Sequence, residues 1–268
     1  MKNEKVAIME KTEFNLIRLK SRNGVSLLAK TRKDNTLVEY LVEENSNNGK
    51  LVYGVGDDLH VAFMIFLRFI ETAKKREVKM LIQEALKKKS VPCENPTRMI
   101  VLDLETTGLS NYRDDVLQVS VIDGDGNVLI NSYVKPYYNT LWEQAQRINN
   151  ISPDMVTDAP ELHELVPKLK GIFESCDTIV GYNTYFDLTF LKFLDFSNKT
   201  IIDVMDDFAP VYGEWSNYHG DYKWQKLVTC AQYYGFDWNS IQENAHDSLG
   251  DCYATLYCYN KMKEGCLK

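Results

Sequence analysis

No run of 18 apolar residues occurs in this 268-residue chain, so the sequence offers no membrane span. Its densest apolar stretch, Val61 to Leu67, is far too short to cross a bilayer. The N-terminal Met1-Lys-Asn-Glu-Lys5 leads into no apolar signal core, which argues against secretion and for a cytoplasmic protein. The six cysteines form no CxxC pair, which argues against a zinc ribbon or a disulfide framework. Two of them, Cys252 and Cys258, fall in a helical-looking segment, and the set reads as reduced, mostly buried thiols. Internal repeats and low-complexity tracts are also missing, which excludes solenoids and biased tails. Neither Gly nor Pro appears between Asp58 and Lys89, so nothing there breaks a helix.

What is present is ordinary in bulk and uneven in charge. Apolar residues at 44% and charged residues at 26% suit a globular chain long enough for one good core or two domains. Residues 1–90 carry 18 Lys and Arg against 12 Asp and Glu, and the remainder carries 13 against 26, for a net charge of −7. A basic module beside an acidic one can supply phosphate affinity that the acidic one lacks. The plainer reading is lysine kept at the surface for solubility.

The first 55 residues hold short candidate strands at Val6–Met9, Phe14–Arg18, Val25–Ala29, Leu37–Val42 and Leu51–Tyr53, separated by turn signals such as Arg22-Asn-Gly24. A long helix is expected over Asp58–Lys89, capped by Asp57 or Asp58. Its first half is apolar nearly all round, which predicts cover on both sides. Lys87 to Pro96 reads as a linker, which puts the expected domains at 1–90 and 97–268. Beyond it the pattern predicts strands at 99–104, 116–123 and 128–134 as an antiparallel start. Helices are expected near 139–149, 161–173, 186–194, 226–234 and 248–263, with strands at 178–181 and 200–204. That order gives a mixed α/β sheet flanked by helices, behind a smaller N-terminal α+β domain.

Val101-Leu-Asp-Leu-Glu-Thr-Thr-Gly-Leu109 carries the chemistry. Side chains on a strand alternate faces, so Asp103 and Glu105 point one way while Leu102 and Leu104 point the other. Two like charges side by side at the end of an apolar strand need a cation between them. Two further segments carry polar residues in suggestive places. Asn183 and Asp187 lie one helical turn apart just after the strand at 178–181. Asp251 falls in the first turns of the last helix, with Asp247 or Ser248 as its cap. His246 precedes that helix, and can meet Asp251 only from the loop. Taken singly, each has a bland reading: a solvated acid, a helix N-terminal acid, a surface imidazole or an Asn in a turn. Asp203 reads as structural. Tyr212, Trp215, Tyr218 and Trp224, clustered with His219 and Lys223, could stack on bases, but core packing is the expected role.

Taken together, Asp103-x-Glu105, Asn183-x-x-Phe-Asp187 and His246-x4-Asp251 resemble the DEDDh group of 3′–5′ exonucleases, the family of the polymerase III proofreading subunit, ribonuclease T and oligoribonuclease. The resemblance runs from about Arg98 to Lys261 and includes Thr106-Thr-Gly-Leu109 and Arg147-Ile-Asn-Asn-Ile-Ser-Pro-Asp-Met155. In the latter, Asn149 stands at a usual His and Asn150 at a Gly, and Tyr182 stands where many members carry His. These departures bear on substrate fit rather than on the metal site. The resemblance implies a ribonuclease-H-like fold, with Asp103, Glu105, Asp187 and Asp251 holding two Mg²⁺ or Mn²⁺ ions and His246 as general base. Thr106, Thr107 and Leu109 would hold the terminal nucleotide, with Asn183 as a further substrate contact.

The implied reaction releases nucleoside 5′-monophosphates from nucleic-acid 3′ ends, DNA ahead of RNA, in repair or proofreading. Single-stranded nucleic acid is the expected partner, a DNA polymerase a candidate one, and a membrane is excluded. Two alternatives remain: an exoribonuclease trimming RNA or oligoribonucleotides, and a non-catalytic polymerase-associated binding protein. For residues 1–90, a substrate- or partner-binding module and a packing extension both stay open.

Overall fold

The computed structural model describes residues 14–32, 36–46, 49–93, 98–240 and 247–266. The expected strand at Val6–Met9 and the expected base His246 lie outside the described residues. The chain divides into two compact units, 1–80 and 81–268. Among the described residues no helix is long and apolar enough to cross a membrane.

The first unit is an antiparallel meander. Strands β1 (Asn15–Arg22), β2 (Val25–Thr31), β3 (Leu37–Ser46) and β4 (Gly49–Gly54) lie in chain order. The tight β1–β2 turn places Asn23 and Gly24 at positive φ, the geometry a short hairpin requires. Helix α1 (Leu59–Lys87) follows, and Asp58 caps it by accepting the His60 and Val61 N–H groups at 2.8 and 3.0 Å. Ala62 and Phe66 of α1 pack with Val25, Leu27 and Val42 of the sheet. Val61, Met64 and Leu67 stay exposed, so only one side of that apolar run is covered, where cover on both sides was expected.

The contact boundary between the units falls inside α1, ahead of the lysine-rich segment read as a linker. The last turns of α1 belong to the second unit, where Ile82 and Ala85 are buried and the Leu86 carbonyl accepts from Lys170. Part of the linker is also tied down. The Val91 N–H donates to the Pro167 carbonyl at 3.0 Å, and its backbone passes Gly171 too closely for any Cβ there.

The second unit is built on a five-stranded sheet of order β7-β6-β5-β8-β9. Strands β5 (Met99–Thr106), β6 (Val116–Asp123) and β7 (Val128–Tyr133) are antiparallel, while β8 (Thr178–Gly181) and β9 (Thr200–Asp203) run parallel to β5. All of β6 is buried, as a strand covered on both faces must be. Helices α2 (Glu143–Asn149) and α3 (Leu162–Ser175) fill the crossover from β7 to β8, and α4 (Thr184–Phe190) leads toward β9. Helices α5 (Val204–Tyr212), α6 (Leu227–Tyr234) and α7 (Ser248–Cys266) complete the unit. Phe208, Cys230, Cys252 and Cys258 pack with Val101 and Val180 in its core. Cys93, Cys176, Cys230, Cys252 and Cys258 are free thiols.

Three expectations change. Helix α4 starts and ends earlier than 186–194, because its start is fixed by contacts to β9. Helix α5, with Pro210 in its last turn, has no counterpart in the sequence reading. The aromatic cluster is not core: Trp215 and Tyr222 sit on a small hairpin, β10 (Trp215–Ser216) with β11 (Asp221–Tyr222), and Trp215, Tyr218 and Trp224 are exposed.

Candidate active site

Strand β5 is central, and its two neighbours have different lengths. It pairs with β6 from Ile100 to Thr106 but with β8 only from Met99 to Val101. Its last residues therefore run past the end of β8, and Asp103 and Glu105 stand there half-buried. A bulge between Glu105 and Thr106 bends the strand at this point.

The gap beyond β8 is filled by the start of α4. Gly181 permits the turn, since a Cβ there would lie 2.8 Å from Thr184 Oγ1. Asn183 takes the left-handed conformation at φ 63°, which Asn tolerates better than most residues. The Asp203 carboxylate fixes this turn, accepting the N–H groups of Asn183 and Thr184 at 2.9 Å each and of Met205 at 3.1 Å. Thr184 Oγ1 donates to the Ile202 carbonyl at 2.8 Å. Asp187 is thereby aimed at β5, where its Oδ1 accepts the Leu104 N–H at 3.2 Å, and it is 3% exposed.

Helix α7 brings the fourth acid. Asp247 caps it through the Leu249 N–H at 3.0 Å and accepts from Gln118 Nε2 of β6 at 3.2 Å. The hydroxyls of Ser248 and Ser120 meet at 2.7 Å. The buried Cys252 thiol lies against the carbonyls of Val101 and Ser120. These contacts press the first turns of α7 onto β5 and β6. Oxygens of Asp103, Glu105 and Asp251 then lie within 4.8 Å of one another.

This arrangement is electrostatically costly for the chain alone. Burial, then the charges of Asp187, Asp251, Glu105 and Asp247, push the Asp103 carboxyl well above the usual carboxylate range. Burial and Asp251 push Glu105 up to about 8, against a hydrogen bond from the Asn149 side chain. Burial also raises Asp187, with the Leu104 N–H opposing it and Asp203 and Asp251 adding to it. The charges acting most strongly on Asp103 are all carboxylates. Such an all-oxygen set fits a hard divalent cation, and the neighbouring Cys252 thiol is turned onto the Val101 and Ser120 carbonyls instead.

The loop after β5 is equally fixed. The Thr106 hydroxyl donates to the Gly108 carbonyl at 2.7 Å. The Thr107 hydroxyl accepts from the Asp115 N–H and from Asn139 Nδ2 at 2.9 Å each, and its own N–H donates to the Asp115 carbonyl. Leu109 is 87% exposed. Asn183 contributes a backbone turn, with no side-chain cap bond.

Sequence reasoning undervalued the supporting residues. Asn149 bonds Glu105 and also donates to the Thr106 carbonyl at 3.3 Å. Asn150 ends α2 at φ 57°, so Asn serves where the related segment has Gly. The only available signal for Asn149 was its place within the Arg147-to-Met155 segment, at the position of the usual His. Gln118 and Ser120 had no signal, because nothing local marks a polar residue on a buried strand as a helix anchor, whereas Asp247 caps α7 as its place before the helix suggested.

Residues 100–259 match the RNase_T family, described as exonuclease. An uncharacterized exonuclease of Escherichia phage 186 is 28% identical over 178 residues, covering 62% of this chain and 88% of the phage protein. A PolC-type DNA polymerase III of Clostridium perfringens is 28% identical over 175 residues, covering 62% of this chain but 11% of the polymerase. Among solved structures, Escherichia coli exonuclease I in complex with a dT13 oligonucleotide matches with a TM-score of 0.50 at 22% identity. That match covers 64% of this chain and 42% of that one, and shows a shared ribonuclease-H-like fold.

Proposed function

The chain belongs to the DEDDh exonuclease family, and from that premise we propose that it is a metal-dependent 3′–5′ exonuclease releasing nucleoside 5′-monophosphates from single-stranded 3′ ends, DNA ahead of RNA. The observation that carries this reading is that oxygens of Asp103, Glu105 and Asp251 lie within 4.8 Å of one another on β5 and α7, with the buried Asp187 of α4 close enough for its charge to act on Asp103. Asp103, Glu105, Asp187 and Asp251 would hold two Mg²⁺ or Mn²⁺ ions. When bound, such ions neutralise the charge that builds on a phosphodiester under attack.

The chain's own residues do the rest. Asp203 and the Leu104 N–H hold Asp187 in place, and Asn149 holds Glu105. His246 takes the proton of the attacking water on a ring nitrogen, a task suited to a group that titrates near neutrality. The Thr106 and Thr107 hydroxyls bond within the loop, which fixes the wall these residues give the terminal nucleotide. The exposed Leu109 offers that nucleotide an apolar surface.

Residues 1–90 are proposed as a separate domain that binds substrate or a partner, and 97–268 as the nuclease domain. A polymerase is the partner proposed for repair or proofreading in the cytoplasm, on the analogy of PolC-type polymerases whose sequence includes a related segment. Degradation of 5′-labelled DNA and RNA of matched sequence, single- and double-stranded, with Mg²⁺ or Mn²⁺, tests the reading. A ladder shortening from the 3′ end, faster on DNA, is expected. A labelled mononucleotide appearing first would reverse the polarity, and faster loss of RNA would reverse the sugar preference.

A further inference from the structure

The β10–β11 hairpin takes no part in the carboxylate site, yet it presents an unusual surface. Tyr218 is 91% exposed and Trp224 69%. Trp215 and Tyr222 meet edge to face with centroids 5.2 Å apart, as do Tyr218 and His219 at 4.8 Å. Tyr218, His219, Asp221, Tyr222, Lys223 and Trp224 wall a cavity of about 590 Å³. Large rings left in water at one loop, while Phe208 nearby in sequence is fully buried, are surface that packing did not require.

The cavity has a fixed frame. Lys223 pairs with Glu214 at 2.6 Å, Gln225 Nε2 donates to the other Glu214 oxygen at 3.1 Å, and the Lys223 N–H donates to the Glu214 carbonyl at 2.7 Å. The Asp221 carboxylate is turned onto the Tyr222 N–H. One bond then ties the hairpin to the carboxylate site: Tyr182 Oη donates to the Gln225 carbonyl at 2.8 Å. Tyr182 directly precedes Asn183, the left-handed residue that launches α4 and Asp187.

We propose that this cavity is a base-stacking subsite for single-stranded nucleic acid, which holds the strand behind its 3′ end. An unpaired base stacks on Trp224 and Tyr218, and the adjoining phosphates face Lys223 and the exposed Lys226 at the start of α6. Every base offers a π-face, so such a subsite accepts any sequence. Lys226 offers the phosphates a cation that an apolar protein partner would not need, whereas Lys223 is already paired with Glu214. The proposal rests on the nucleic-acid reading above but does not require turnover.

The test is binding of a fluorescein-labelled oligothymidylate to the full chain in EDTA, read by anisotropy, with hydrolysis in Mn²⁺ measured separately. Trp224→Ala and Tyr218→Ala are each expected to weaken binding about 10-fold or more, with Trp224→Phe retaining most of it. The same two alanine variants should raise KM for the oligonucleotide and leave kcat unchanged. Equal binding by wild type and Trp224→Ala, or no binding by wild type, overturns the subsite and leaves the hairpin as a surface for something else. Loss of binding in the variants together with no hydrolysis by wild type keeps the subsite and removes the nuclease reading. Hydrolysis by wild type with unchanged variant binding does the reverse.

Discussion

The two units bury acids in opposite ways. In the first, Glu43 accepts two contacts from Lys50 at 3.3 Å and lies 3.7 Å from Arg18, and Glu44 pairs with Arg76 at 2.7 Å. In the second, the charges acting most strongly on Asp103 are Asp187, Asp251, Glu105 and Asp247. A buried carboxylate with a basic partner is finished structure. One surrounded by carboxylates suits a divalent cation, and the chain keeps it at a cost in stability. The contrast separates scaffold from chemistry using one type of side chain.

The sharpest way to break the comparison is to remove an acid from each side. Asp103→Ala or Asp251→Ala should abolish mononucleotide release in Mg²⁺ or Mn²⁺, whereas Glu44→Gln should leave turnover intact. An active Asp103→Ala protein would end the assignment of the site. Next in size, His246→Ala should lower kcat by ~10²–10⁴-fold while calorimetric metal binding stays nearly unchanged. Lost metal affinity would make His246 a ligand instead of a base. Asn149→Ala should cost ~10–100-fold in activity or metal affinity, as for residues that orient ligands. Activity equal to wild type would show that Glu105 needs no such support.

Stability gives the smallest effects and the clearest opposition of sign. In metal-free protein near neutral pH, Asp103→Asn should raise Tm, because the folded site no longer has to protonate a carboxyl that the unfolded chain leaves ionised. Arg76→Ala should lower it by about 1–3 kcal/mol equivalent, since it leaves Glu44 buried without that partner. The pH dependence follows the same logic. The Glu105 carboxyl is raised from 4.5 to about 8, so between those values the folded protein holds a proton that the unfolded chain releases. Metal-free stability therefore falls as pH rises through that window and levels off above it. Acidification from pH 9 to pH 6 should raise the metal-free Tm. Added Mn²⁺ should raise it more at pH 9 than at pH 6, because ion and proton compete for the same oxygens. Equal metal-induced shifts at both pH values would place the ion elsewhere.

Much of this was legible from local pattern. The β5–β6–β7 start, β8 at 178–181 and the Asp58 cap of α1 all follow from strand alternation, turn residues and cap chemistry. Helix α5 was not legible, because Pro210 within it removes a helical hydrogen bond and reads as a stop. Nor was the exposure of Trp224 and Tyr218. Aromatic composition reports what could be buried, and only the hairpin geometry decides whether it is.

The sequence by itself determined which residues are acidic, in what order, and that Asp103 and Glu105 share a face, because strand periodicity is a property of the backbone. It could not determine that Asp187 reaches Leu104 from 83 residues away, or that Asp251 joins Asp103 and Glu105. Those meetings depend on where β8 stops, on Asp203 gripping the start of α4, and on Gln118 and Ser120 seating α7. Such contacts are made between side chains distant in the chain, whose strength comes from burial that exists only once the sheet and helices have closed around them.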